Sequence, residues 1–433
     1  WVFGDAWLHQ DKRPPLTLLL RARLPLIALN TLLFPLLALV TYALAGSIAA
    51  GCAVLLASLS PLWLAHGMLV TTDAAASLFC FASSASALWL AEASPRRRVW
   101  AALSLTLSIA CALASKYSLL AVAPLIGVAH TILAWRSRQW SAWRWTAGAC
   151  VLGMVLGLCC AWGWPPQPRL YVEGVRQVGG NHSAERLSYA FGELYLDRDP
   201  LYFVRALLVK LELPTLILAV VAAWVAAKRA SLSAVPMRFA FACLCVCVAG
   251  GYGSLTSARA PAVGVRYVLP VVPFLWVIAG CGAAYVARFK LGRAALACLL
   301  LVQVGGYATA LQASPLAFFN GFFCWTGDTM PCLDDSNLDW GQALPDLARF
   351  RAAHYPGVPL RVMYVGSSPV AAYVPDAAVA STDELAVPAP ALYAISLYYR
   401  ARSPADQWTR RLAPSAIVGG VYAIYDLRAL AEH

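Results

Sequence analysis

The sequence predicts a polytopic α-helical membrane protein of about ten transmembrane helices, with a small C-terminal α+β domain on the extracytoplasmic side. Three observations predict it. The 433 residues are 61% hydrophobic and only 12% charged, whereas soluble domains carry roughly 25% charged and 45–50% apolar residues. Basic clusters recur in every second loop, and the composition changes after Leu311.

Residues 1–23 read as the end of a first outer loop. Trp1 opens in the middle of that loop, with no charged-then-apolar signal segment before it. The expectation is therefore that the natural N-terminus is missing, and with it a helix and part of an active site. Residues 24–311 form the transmembrane domain. A span needs about 20 mostly apolar residues, and such runs occur near 24–46, 47–66, 74–92, 99–115, 118–134, 145–163, 206–227, 237–255, 267–287 and 292–311. Arg96, Arg97 and Arg98; Arg136, Arg138 and Arg144; Lys228 and Arg229; and Arg288, Lys290 and Arg293 fall between alternate pairs of runs. Cytoplasmic loops are rich in Lys and Arg, so the loops near 67–73, 165–202 and 256–266, and both ends of the chain, are expected outside the cytoplasmic membrane.

The long outer loop 165–202 is rich in Trp, Pro, Tyr and Gly and reads as structured, with interfacial aromatics. Residues 312–433 form the outer domain. RVMYVG, ALYAISLYY and SAIVGGVYAIYDL read as strands, while PDLARFRAAH and SPADQWTRRL read as capped helices.

The net charge of +12 is uneven: residues 1–319 hold 25 Lys/Arg against 10 Asp/Glu, and residues 320–433 hold 8 against 11. Basic charge thus belongs to the membrane part, where it reports topology rather than nucleic-acid binding. Eleven of the 13 cysteines lie in apolar runs, among them Cys243, Cys245 and Cys247, and none has convincing zinc spacing with His. Cys324 and Cys332 lie outside these runs and are expected to pair if the compartment is oxidising.

Few residues carry candidate chemistry. Asp73, in HGMLVTTDAAASLFCF, abuts an uncharged stretch at the outer end of a span, where an ionisable group costs about 2.5–3.5 kcal/mol to insert. It is the catalytic candidate, against the plainer reading of a helix N-cap. Lys116, Lys210 and Arg266 lie at the same membrane level, which suits an anionic lipid head group. Each alone reads equally well as a snorkelling cation, and Tyr267 as a belt aromatic. His182, after a Gly-Gly pair in the large outer loop, is an acid–base candidate or a polar loop residue. The sequence shows no metal site, no cofactor motif, no phosphate loop and no nucleophile elbow, and leaves a requirement for a divalent metal open.

Three stretches, LSPLWLAHGMLVTTDAAASLFCF, ALASKYSLLAVAP and RYVLPVVPFLWVIAG, together with DDSNLDWGQALPDLARF, resemble membrane glycosyltransferases of the GT-C fold that use polyprenyl-phosphate sugars. The most similar group is the protein O-mannosyltransferase and aminoarabinose transferase-like family, in its bacterial members, and the resemblance spans Arg21 to Leu427. It implies a GT-C-like fold, a polyprenyl-phosphate sugar donor, a lipid or protein acceptor and a place in the cytoplasmic (inner) membrane. By the resemblance Asp73 matches a second active-site carboxylate, and Lys116 and Tyr267 match positions that contact the lipid phosphate. The family's other acidic residue falls before this chain begins, and neither Asp5 nor Asp11 has its context.

The implied reaction moves a sugar onto an acceptor outside the membrane, with a carboxylate as general base and cations on the leaving phosphate. The alternative class is a lipid or solute transporter, which tends to show internal repeats and helices broken near mid-membrane; no repeat is visible. A third class is a catalytically silent membrane scaffold.

Three structural expectations follow. Asp73, Lys116 and Tyr267 converge on one cavity. Cys324 and Cys332 form a disulfide. In SNLDWGQ, either Asp335, Asn337, Asp339 and Gln342 line an acceptor entrance, or Asp339 caps the helix beginning near Gln342 and Trp340 packs the outer domain onto the membrane part; the second reading is favoured.

Overall fold

The computed structural model describes residues 15–138, 140–161, 167–180, 187–196, 199–228, 236–324, 330–366 and 369–429. It is a helical bundle with a sheet-containing domain docked at one end. Among the described residues, eight helices are long and apolar enough to cross a membrane alone: α1 (Thr17–Ala45), α4 (Asp73–Glu92), α5 (Arg98–Ser115), α6 (Tyr117–Ser137), α7 (Trp140–Ala161), α11 (Pro236–Arg259), α12 (Val265–Val286) and α13 (Lys290–Gln312). Two further spans are bent pairs: α2 (Ser47–Ser58) with α3 (Pro61–Met68), at 60°, and α9 (Tyr202–Lys210) with α10 (Leu213–Lys228), at 116°. All ten fall where the apolar runs predict them, and the chain is a multi-pass membrane protein.

The bends were not visible as breaks in hydropathy. Each coincides with a proline at the start of the second half, Pro61 and Pro214, whose missing N–H interrupts the helical ladder. Backbone groups freed inside a bilayer need partners within the protein. Here the Gln303 amide of α13 donates to Leu59 O at 3.0 Å, and the two breaks are joined by their side chains, Ser60 Oγ donating to Glu212 Oε1 at 2.6 Å. Close packing completes the bundle. A Cβ on Gly282 of α12 would lie 2.0 Å from Leu218 O of α10, so only glycine lets those two spans approach so closely.

The loop after α7 contains an amphipathic helix, α8 (Pro168–Gly180), and a hairpin of β1 (Ser188–Ala190) and β2 (Glu193–Tyr195). Phe191 N–H donates to Cys332 O at 2.8 Å, tying the hairpin to the C-terminal region. There Cys324 and Cys332 form the expected disulfide, with Cα atoms 5.7 Å apart.

The C-terminal domain holds a mixed sheet of β3 (Leu360–Met363), β4 (Ala377–Val379), β5 (Leu392–Ser396), β6 (Ala416–Val418) and β7 (Tyr422–Asp426), in the order β4-β3-β5-β7-β6. β3 runs parallel to β4 and β5, while β7 is antiparallel to β5 and β6. Side-chain alternation sends Leu360, Val362 and Ile424 to one face, where Leu344 and Leu347 of α14 (Leu344–His354) pack, and Tyr393, Ile395 and Tyr425 to the other. The predicted strands form in part, ALYAISLYY being strand only over Leu392–Ser396 and helical from Leu397, and both predicted helices form, the second as the short turn Trp408–Arg411.

SNLDWGQ serves as the clamp between domain and bundle. Ser336, Asn337 and Asp339 are fully buried. Ser336 Oγ donates to Val263 O at 2.6 Å, and Asn337 Oδ1 accepts from Val265 N–H at 2.9 Å. Gly264 between those two partners is required by space, since a Cβ there would meet Ser336 Oγ at 2.0 Å. Asp339 is not a helix cap: α14 starts at Leu344 without a side-chain cap. Its carboxylate instead accepts from Gly341 N–H at 2.8 Å and Val365 N–H at 3.1 Å, bracing a turn against the sheet. Trp340 does face the membrane part, as expected, with the Arg266 guanidinium 4.9 Å from its ring.

Asp334, just before the clamp, is buried beside Arg402 at 2.6 Å, yet burial outweighs that partner and raises its carboxyl to about 6, from an ordinary 3.8. A raised acid favours the folded state in its protonated form. Its contribution is complete below about pH 4 and lost as pH rises through about 6. Thermal unfolding in detergent should show this decline between pH 4 and 6, and Asp334→Asn should flatten it; an unchanged profile would place Asp334 outside the pH response.

Candidate functional site

The site lies at the end of the bundle that carries the C-terminal domain. Asp73 is the first residue of α4, where the positive end of the helix dipole favours a carboxylate, and Lys116 follows the last turn of α5, where the dipole favours a cation. Because α4 and α5 pack side by side in opposite directions, these two ends meet. Lys116 Nζ donates to Asp73 Oδ1 at 2.6 Å, with the Asp73 side chain 5% and the Lys116 side chain 16% exposed. This is the first of the predicted contacts, and the reading of Asp73 as an exposed cap fails with it, since Asp73 is buried and the cap position is Thr72.

The start of α12 supplies the next pair. Its first turn, Val265–Val271, is 3-10 helix, and it turns Tyr267 toward the ion pair. Lys116 Nζ lies 4.9 Å from the centre of the Tyr267 ring, and the Arg266 guanidinium 5.2 Å from the same ring. Tyr267 thus lies against two cations, each contact being worth about 0.5–2 kcal/mol according to its desolvation. Asp73, Lys116 and Tyr267 are brought together as the sequence predicts, and Arg266 joins them through the Tyr267 ring.

Lys210 is placed differently. It is buried, and its three ammonium protons go to Leu316 O at 2.7 Å, Phe318 O at 2.9 Å and Asn337 O at 2.6 Å, with the Phe319 ring 3.7 Å away. An ammonium has three donors, so these bonds fill it. Lys210 fastens the C-terminal domain onto α9, and the expected role on a lipid phosphate does not fit its geometry. His182 lies outside the described residues, as do Asp5 and Asp11.

Sequence reading missed two residues. His66, near the end of α3, is completely buried, and neither ring nitrogen has a hydrogen-bond partner among the described residues. The charged groups facing it are Asp73, Lys210, Arg266 and Lys116. A recess beside it, too narrow to admit a water molecule, is lined by Leu62, Lys210, Phe318 and Asn337. Arg266 Nε is likewise buried without a partner. Most buried polar atoms are satisfied in native structures, and these two nitrogen-bearing side chains beside the ion pair are exceptions to it. The other missed residue is Glu212, at the bend of the α9–α10 pair. The signal for His66 lay in the sequence, seven residues before Asp73 in the same HGMLVTTD string. Among the described residues no cluster of three His, Cys, Asp or Glu side chains could hold a metal ion.

α8 borders this region. Tyr171 packs against Tyr117, their ring centres 5.2 Å apart, and its hydroxyl donates to Tyr117 O at 3.2 Å, next to Lys116.

No protein-family model matches the chain, and no curated protein sequence matches it. Among solved structures it is similar to ArnT from Cupriavidus metallidurans in the apo state, at 15% identity and a TM-score of 0.48, over 94% of this chain and 84% of that one. It is similar also to ArnT from the same organism bound to undecaprenyl phosphate, at 15% identity and a TM-score of 0.46, over the same shares of each chain.

Removing one partner of a buried ion pair costs about 3–5 kcal/mol, because the other charge is left alone. A double-mutant cycle with Asp73→Asn and Lys116→Met, read by thermal unfolding in detergent, should therefore give a coupling above about 1 kcal/mol. Strict additivity would mean that the pair is not held in solution.

Proposed function

We propose that the chain is a membrane glycosyltransferase that moves a sugar from a polyprenyl-phosphate donor to a hydroxyl-bearing lipid or protein acceptor. We place the reaction at the membrane surface that carries the C-terminal domain, outside the cytoplasmic membrane, because the basic loops gather at the opposite surface. The observation that carries this reading is the convergence of Asp73, Lys116, Arg266 and Tyr267 where apolar spans meet a polar domain. A lipid-linked donor needs that boundary, with its tail among the helices and its phosphate at the cations.

In this reading Lys116 and Arg266 hold the donor phosphate. The bond between the sugar's anomeric carbon and the phosphate oxygen breaks, and its electron pair stays on the phosphate. Cations already in place stabilise that charge as it develops. The acceptor oxygen bonds to the anomeric carbon, and its proton passes to a carboxylate, for which Asp73 is the candidate among the described residues. General-base help of this kind contributes typically about 10²–10⁴-fold. Tyr267 fixes the two cations on either side of the sugar-bearing phosphate, and His66 offers a polar contact at the inner wall. Lys210 has no part in phosphate binding here.

The two bent spans favour a second reading, a lipid or solute transporter, because broken helices are a mark of that class. The breaks are bonded to each other, and the charged groups lie at one end of the bundle, so the transferase reading fits better.

The full-length protein in proteoliposomes, given a polyprenyl-phosphate sugar and candidate acceptors, tests both. Asp73→Asn should lower transfer by about 10²–10⁴-fold while donor binding is kept. Lys116→Ala should weaken donor binding by about tenfold or more, the worth of one charge-assisted hydrogen bond. Movement of the lipid across the bilayer without any sugar transfer would favour the transporter instead.

A further inference from the structure

A second cavity lies at the other end of the bundle, on the surface of the basic loops. It is a cleft of about 540 Å³ between the end of α1, α10, α11 and α12, within the roughly 300–1,000 Å³ range of small-ligand sites. Its walls are mostly apolar, with Ala222, Ala226, Ala242 and Ala284 beside the larger Phe241 and Ile278. Arg238 and Arg288 also line it, and no carboxylate does. Arg238 Nε donates to Leu44 O at 3.2 Å, which fixes the side chain along the wall. Among the described residues neither guanidinium has an ion-pair partner.

The wall formed by α11 is irregular. Cys245–Gly250 is a π-helical turn, and Cys245 and Val246 from it face the cleft. A π-turn widens a helix by one residue per turn and is frequent at functional sites. Of the cysteine-rich stretch Cys243, Cys245 and Cys247, Cys245 lines the cleft with a small side chain.

An apolar slot with two unpaired guanidiniums at the level of the basic loops has one natural complement. We propose that it binds one anionic phospholipid of the adjacent leaflet, with Arg238 and Arg288 taking the phosphate and the alanine-lined walls taking an acyl chain. Charge complementarity selects this occupant. A zwitterionic lipid brings its own ammonium to two arginines that lack a counter-charge, whereas an anionic one supplies the missing charge. A freely soluble anion leaves the apolar wall uncovered. The site is separate from the Asp73–Lys116 pair, at the opposite ends of the spans, and holds whether or not the chain transfers sugars.

Native mass spectrometry of the detergent-purified protein, titrated with phosphatidylglycerol or phosphatidylcholine of matched chains, tests this. The expected result is a single phosphatidylglycerol adduct, with phosphatidylcholine about tenfold weaker. The double variant Arg238→Gln with Arg288→Gln should weaken phosphatidylglycerol binding about tenfold. Arg96→Gln with Arg97→Gln, equal in charge loss but on another basic loop, should leave it unchanged. Ala242→Phe fills the cleft without altering charge and should also reduce binding, which keeps the test valid if the arginine variant unfolds. Equal binding of the two lipids, or equal loss in both arginine pairs, would show only general attraction to basic loops and overturn the proposal. Full binding by the folded Ala242→Phe variant would overturn it too.

Discussion

A backbone carbonyl or amide released inside a bilayer must find a partner within the protein, and the architecture follows from how this chain meets that demand. Eight spans meet it by staying helical. The two that bend release groups near Ser60 and Glu212, and the bends are set against one another so that Ser60, Glu212 and Gln303 bind across them. Lys210, at the end of α9, meets the same demand for the irregular segment beyond α13 by donating to three of its carbonyls. The chain there is held against the bundle by this ammonium together with Asn320, Ser336 and Asn337.

The candidate site depends on those bends. α3 turns away from α2 at Pro61, and this directs His66 inward beside the helix ends that carry Asp73 and Lys116. α9 turns from α10 and leaves Lys210 under the C-terminal domain, so that domain is fixed above the bundle. Trp340 then reaches Arg266, which also rests on Tyr267. Through one stacked arginine the clamp and the ion pair share a support, and the domain is part of the site's wall.

Much of this was legible in the residues. Span positions follow from apolar runs, because a bilayer demands length and apolarity and little else. The site's core was legible for a related reason: charged residues are costly in membrane spans, so Asp73, Lys116 and Arg266 stand out against an uncharged background. Lys210 stood out equally, yet its use differs, since sequence shows a charge's depth and not the carbonyls around it. Glu212 gave no signal of its own, because the proline-linked bend beside it leaves the apolar run 206–227 unbroken. Asp339 shows a similar limit. A turn rich in Ser, Asn and Asp before a helix predicts a cap, but the sheet brought Val365 N–H within reach, and a long-range partner took the carboxylate.

The balance of charge in the site bears on what it can hold. Asp73 bonds to Lys116 directly, while no carboxylate among the described residues pairs with Arg266, whose Nε is buried and unsatisfied. One anion beside two cations leaves a net positive end, held against aromatic faces rather than open water. A neutral guest gains little there. A phosphate diester supplies the absent charge, and in approaching Lys116 it competes with Asp73 for the same ammonium. A carboxylate loosened from its cation is a better proton acceptor than one in a tight pair, because the pair favours its charged form. On the proposed reading, the donor's phosphate would thus take over part of the Lys116 ammonium and leave Asp73 free to meet the acceptor.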